Sequence, residues 1–208
     1  MITTDQLMFL KECDITNILK VIDKNDISQF VEWLSEKNDK IRYNSLLLLE
    51  KRSLFFNDVY PFWDIFREKL RNKNSYQRAI GLKLIADNVK WDMDNKFEEI
   101  FDEYFDFLND EKLIIIRQGL EAIKNIIPYK EQLNNRIANK IMSLNIWNLR
   151  ETMRKPILMD ILNALILIKK NQINDKIEKY IINAISGGVL DQKTKKEIAS
   201  ALQLPFIF

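Results

Sequence analysis

The feature that most constrains this chain is a spaced recurrence. Arginines at positions 42, 78, 117 and 154 lie 36, 39 and 37 residues apart. Each opens a stretch with apolar residues at helical spacing. The stretches are DKIRYNSLLLLEK from Asp39, NSYQRAIGLKLIAD from Asn74, KLIIIRQGLEAIKNI from Lys112 and ETMRKPILMDILNALILI from Glu151. Leu46 and Leu49, Leu82 and Ile85, Leu120 and Ile123, and Leu158 and Leu162 each share a helix face. A unit of this size cannot bury its apolar face alone, so repetition at this period implies stacked neighbours.

A second amphipathic stretch precedes each of these. Phe30, Val31 and Leu34 mark the first, and Phe62, Ile65, Phe66 and Leu70 the second. Phe97, Ile100, Phe101, Tyr104 and Leu108 mark the third, and Ile137, Ile141 and Leu144 the fourth. Their spacing is helical, with no sustained alternation of the kind a strand needs. Polar breakers separate them, and Asp39, Ser75 and Asp110 stand where helix N-caps are expected. Pro61 suits a first helical turn. Only four glycines and four prolines are present, too few for the tight turns of an all-β fold.

The expectation is therefore one all-α domain over 1–208. It is an α–α superhelix, a solenoid of about five antiparallel hairpins, since stacked helical units of this size build solenoids. Residues 1–25 cap it, and hairpins occupy 26–56, 58–90, 94–127, 131–170 and 174–203. Gly187-Gly188 reads as the turn of the last hairpin. Gly81 and Gly119 sit inside helices, which points to close helix approach there.

A polar turn with aspartate, an apolar residue and then arginine opening the second helix resembles the HEAT family of armadillo-type repeats. Asp39, Ile41 and Arg42 carry the resemblance best; Asn74, Arg78 and Gly81 follow it, as do Asp110, Arg117 and Gly119. The fourth unit departs from it, with no aspartate before Arg154 and with Pro156 inside the helix. The fifth has Lys195 and Lys196 in place of arginine. The resemblance spans roughly residues 26–203. It implies that the solenoid is right-handed and that the second helix of each hairpin lines a concave surface.

The chain has no histidine and one cysteine, Cys13. This removes Ser-His-Asp and Cys-His arrangements and a Cys/His zinc site within one chain. No glycine-rich phosphate loop occurs. No catalytic residue, metal ligand or cofactor is assigned. A single cysteine cannot form an intrachain disulfide, and the N-terminus does not read as a signal peptide. The expected location is cytoplasmic. The most apolar run, 157–168, is too short to cross a membrane, so no membrane partner is expected.

The net charge of +2 is unevenly spread: residues 1–111 carry −6 and residues 112–208 carry +8. Candidate partner-binding residues are Arg42, Arg78, Arg117 and Arg154, with Trp147, Arg150 and Lys155 as a basic aromatic cluster. A candidate acidic patch comprises Glu98, Glu99, Asp102, Glu103 and Asp106. The arginines have two readings, a binding stripe or a device that fixes helix register through bidentate bonds. The apolar tail Leu204-Pro205-Phe206-Ile207-Phe208 either folds back or self-associates. Repeats without a catalytic constellation point to a protein–protein interaction module or scaffold. The alternative is a nucleic-acid binder similar in fold to HEAT-like alkylpurine DNA glycosylases, for which the basic half is the relevant feature.

Overall fold

The computed structural model describes residues 2–10, 15–171 and 174–201. Cys13 and the apolar C-terminal tail lie outside the described residues. Among those residues the chain is all-α, with thirteen helices and no strand. It divides into two compact units, Met1–Asp106 and Phe107–Phe208.

The first unit contains α1 (Thr4–Met8), α2 (Ile15–Val21), α3 (Lys24–Trp33), α4 (Asp39–Ser53), α5 (Trp63–Leu70), α6 (Ser75–Asn88), α7 (Lys96–Glu99) and α8 (Phe101–Phe105). Helix α4 is its hub and packs against α1, α2, α3 and α6. Ile41, Leu46, Leu48 and Leu49 turn into that core and are almost wholly buried. Helices α5 and α6 pack most intimately. Gly81 permits this, because a Cβ there would lie 2.7 Å from the Phe66 carbonyl oxygen and 3.1 Å from the Leu70 nitrogen.

The helix starts differ from expectation by one residue. Asn38 and Asn74, not Asp39 and Ser75, are the N-caps of α4 and α6. Both asparagines have extended backbone. Their Oδ1 atoms accept N–H bonds from Lys40 and Ile41 in one case and Tyr76 in the other. At α9, Lys112 holds the cap position, and Asp110 accepts its N–H at 2.8 Å. Pro61 does lie in a short first turn, the 3₁₀ segment Tyr60–Phe62.

The acidic stretch is not one helix. It runs as α7, a non-helical Ile100, α8 and a 3₁₀ turn over Asp106–Asn109. Phe97, Ile100, Phe101, Tyr104, Phe105, Phe107 and Leu108 are all buried. One straight helix cannot turn that many residues inward on a single stripe, and the breaks rotate them in.

The second unit contains α9 (Leu113–Ala122), α10 (Asn134–Met142), α11 (Glu151–Asn171), α12 (Asp175–Ser186) and α13 (Gln192–Ala201). Here α11 is the hub, packed against α9, α10 and α12. Its run Ile157, Leu158, Ile161, Leu162, Ala164, Leu165 and Ile168 is buried. Gly119 on α9 leaves room for the Phe107 ring, which an added Cβ would strike. Gly187 caps α12 with ordinary negative φ, its N–H donating to the Asn183 carbonyl. Among the described residues no helix is long and apolar enough to cross a membrane.

Candidate functional site

The four arginines are engaged inside the fold, and three of them in the same way. Arg42 Nη1 donates to the Glu36 carbonyl at 2.7 Å, while Nη2 pairs with Asp39. Arg78 Nη1 donates to the carbonyls of Asn72 and Lys73 at 2.9 and 3.1 Å. Arg154 donates from Nε to the Leu149 carbonyl and from Nη2 to the Trp147 carbonyl, both at 3.2 Å. Each guanidinium thus reaches back five to seven residues and ties down the turn that enters its own helix. The planar fork suits this, because its donors are held in one fixed plane and reach separated carbonyls that a lysine's single Nζ would have to share. Arg117 is the exception. It pairs with Asp160 of α11, Nε to Oδ2 at 2.7 Å, and that bond holds its pKa above the ordinary arginine value.

The Arg154 clamp borders an open groove in the second unit. Asn145 caps a 3₁₀ turn over Ile146–Asn148 by accepting the Trp147 N–H at 3.0 Å. Ile146 anchors the turn inward, and Trp147 is left 60% exposed. The Arg154 guanidinium lies 5.1 Å from the Trp147 ring centre, within cation–π range. The indole borders an open groove of about 420 Å³, lined by Leu144, Leu158, Tyr180, Ala184 and Val189. Burial raises the Tyr180 pKa, so its hydroxyl stays a neutral hydrogen-bonding group. Arg150 is exposed beside the turn. Lys155, also exposed, is paired with Asp191, and this bond holds the Asp191 carboxyl well below the usual carboxylate range.

This arrangement supplies one large aromatic surface, an apolar floor and a few polar groups at the rim. Such a site is suited to holding a side chain or short segment of a ligand. Of the residues singled out from sequence, Trp147, Arg150 and Arg154 come together here, with Lys155 engaged by Asp191. Arg42 and Arg78 clamp turns in the first unit, and Arg117 joins α9 to α11.

The five acidic residues differ in their surroundings. Glu103 is mostly buried and takes Arg67 and Arg71 at 2.9 and 3.0 Å. Glu98, Glu99, Asp102 and Asp106 are exposed. Among the described residues no group of three or more histidine, cysteine or acidic side chains is placed to hold a metal ion.

Three buried polar arrangements escaped the sequence reading. Arg52 binds Asp58 with two nitrogens and the Leu19 carbonyl with a third. Asp92 accepts from Tyr60 and from the N–H groups of Lys96 and Phe97, which caps α7. Lys69 lies between Ser35 and Gln77. The available signal was a polar residue at a position that is apolar in the other units, as Gln77 is before Arg78. Comparison with known proteins yields no matching family model, no matching curated protein and no matching solved structure.

Proposed function

We propose that this chain is a protein–protein interaction module or scaffold, built as a right-handed α–α superhelix of HEAT-like hairpins. The observation that supports it is the groove beside Trp147: a large indole held outward over an apolar floor by a dedicated arginine clamp. Residues 112–208 carry a net +8. The fitting partner is a peptide segment with an apolar anchor and acidic flanks, since opposite charge steers encounter. The anchor fills the groove, and aromatic residues of this kind commonly dominate binding energy.

Selection of acidic, aromatic-containing peptides on the purified full chain tests this. The reading expects selected peptides to lose about 10-fold or more in affinity against Trp147→Ala, the effect of losing one aromatic hot spot. Peptides that bind both proteins equally would overturn it.

The second reading is nucleic-acid binding through the basic half, favoured by the exposed Trp147 beside Arg150, since bases stack on aromatic rings near positive charge. A gel shift in about 50 mM salt separates the two. Phosphate contacts are strongest at low salt, so absence of a shift there excludes nucleic acid.

A further inference from the structure

The Lys69 side chain poses a question that packing alone does not answer. Lys69 is only 7% exposed. Its Nζ has two partners, Ser35 Oγ at 3.1 Å and Gln77 Oε1 at 2.5 Å, and both are neutral. Gln77 is itself fixed, with Nε2 donating to the Leu34 carbonyl at 2.7 Å. A buried ammonium without a carboxylate partner is costly, and the group responds by favouring the free amine. Burial accordingly lowers the Lys69 pKa, and only the neighbouring Glu68 works the other way. The residue just before the arginine is Ile41, Ile116 or Met153 in the other units. An apolar side chain serves the fold at that position, whereas Gln77 supplies an acceptor to Lys69 and a donor to the Leu34 carbonyl.

Ser35, in contrast, is exposed, at the turn that follows α3. We propose that Ser35 and Lys69 form a nucleophile–base pair, with Ser35 accepting an acyl group from an activated ester or thioester. A serine hydroxyl is a weak nucleophile unless an adjacent base takes its proton, and lysine serves as that base when burial keeps it neutral. In the step, the free amine of Lys69 removes the Oγ proton as Oγ bonds to the carbonyl carbon. Collapse of the adduct breaks the bond to the leaving thiolate or alkoxide, which takes that proton back from the Lys69 ammonium. The products are an ester on Ser35 and a free thiol or alcohol. Arg42 braces the same corner, with its Nη2 paired to the Asp39 carboxylate. Its Nη1 holds the carbonyl of Glu36, next to Ser35, and its guanidinium lies 4.5 Å above the Tyr76 ring, next to Gln77. The pair belongs to the first unit alone and is independent of the Trp147 groove.

The test treats the full chain with a fluorophosphonate and, separately, with a small acyl thioester, and locates the adduct by peptide mass spectrometry. The fluorophosphonate reaction forms an Oγ–P bond and releases fluoride. The expected result is adduct at Ser35, absent in Ser35→Ala, with a rate about 100-fold lower in both Lys69→Met and Lys69→Arg, the scale of a lost general base. Arginine keeps hydrogen-bond donors at the site but, always protonated, cannot take the proton. The wild-type rate should rise with pH and level off below 10.5, the ordinary lysine value. Gln77→Glu should move that profile to higher pH by stabilising the ammonium. A merely structural bond would give none of these pH effects. Labelling of Ser35 no faster than the other serines, or a rate unchanged in both lysine variants, would overturn the proposal.

Discussion

Arg52 grips Asp58 with both Nε and Nη2, at 3.1 and 2.7 Å to Oδ2, and donates Nη1 to the Leu19 carbonyl at 2.6 Å. Its guanidinium also lies 3.6 Å from the Phe56 ring centre. The Arg52 and Asp58 side chains are only 10% and 16% exposed. One residue at the end of α4 therefore holds the chain that leaves α4 and the end of α2 together. Arg52→Met keeps the stem but strands the Asp58 carboxylate and the Leu19 carbonyl. Breaking such a pair from one side costs about 3–5 kcal/mol. A denaturant melt should show that loss, and Arg52→Lys should recover only part of it. A midpoint within experimental error of wild type in Arg52→Met would contradict this reading.

Gly81→Ala sets two effects against each other. Alanine gains about 1 kcal/mol of helix propensity over glycine. Its Cβ, however, would sit 2.7 Å from the Phe66 carbonyl oxygen, a backbone atom that cannot turn aside. Overpacking of this kind costs about 1–3 kcal/mol. The net expectation is destabilisation of about 1 kcal/mol, together with movement of α5 away from α6. Gly188→Ala, where nothing lies within 4 Å, serves as the control and should be close to neutral. If both substitutions stabilise equally, the close α5–α6 approach is wrong.

Tyr104 gives a pH prediction with a definite sign. It is fully buried, and its hydroxyl donates to the Leu82 carbonyl at 3.0 Å. Burial raises its pKa well above the ordinary 10.0. In the unfolded chain the phenol loses its proton near that value, while the folded chain keeps it. The folded state then binds more protons, so stability falls as pH rises above 10. Tyr104→Phe should cost about 1–2 kcal/mol at pH 7, because the carbonyl loses its donor. The same variant should lose less stability than wild type between pH 10 and 11. Melts at pH 7, 10 and 11 check both halves.

How much of this was legible in the sequence follows from what each signal depends on. The helices showed through because apolar periodicity is local: Leu46, Leu49, Leu120 and Ile123 all turn into cores. The breaks in the acidic stretch did not show. They arise because Phe105 and Phe107 are buried along with Phe97, Phe101 and Tyr104, which depends on what surrounds them. The arginines were visible as a recurrence, but their role was not, since a carbonyl acceptor leaves no trace in residue type. Trp147 was visible as an aromatic residue near basic ones. Its groove was not, because Tyr180, Ala184 and Val189 reach it from α12 and the turn beyond. Ser35, Lys69 and Gln77 come from three separate segments; the sequence marks Gln77 as out of pattern but not the partners it meets.

The Trp147 turn offers a way to separate a binding role from a structural one. Trp147 is 60% exposed, and the Arg154 guanidinium lies 5.1 Å from its ring centre. Trp147→Ala should therefore change stability by no more than about 0.5 kcal/mol, the usual range for exposed positions. Arg154→Ala removes two donors to turn carbonyls and should cost about 1–2 kcal/mol. It should also loosen the indole, so the Trp147 contribution to fluorescence would become more quenchable by iodide. If the groove is a docking site, both variants lose peptide affinity, but only Arg154→Ala loses stability as well. Equal destabilisation by the two would show that the indole supports the fold, and the exposed ring would then carry no argument for binding.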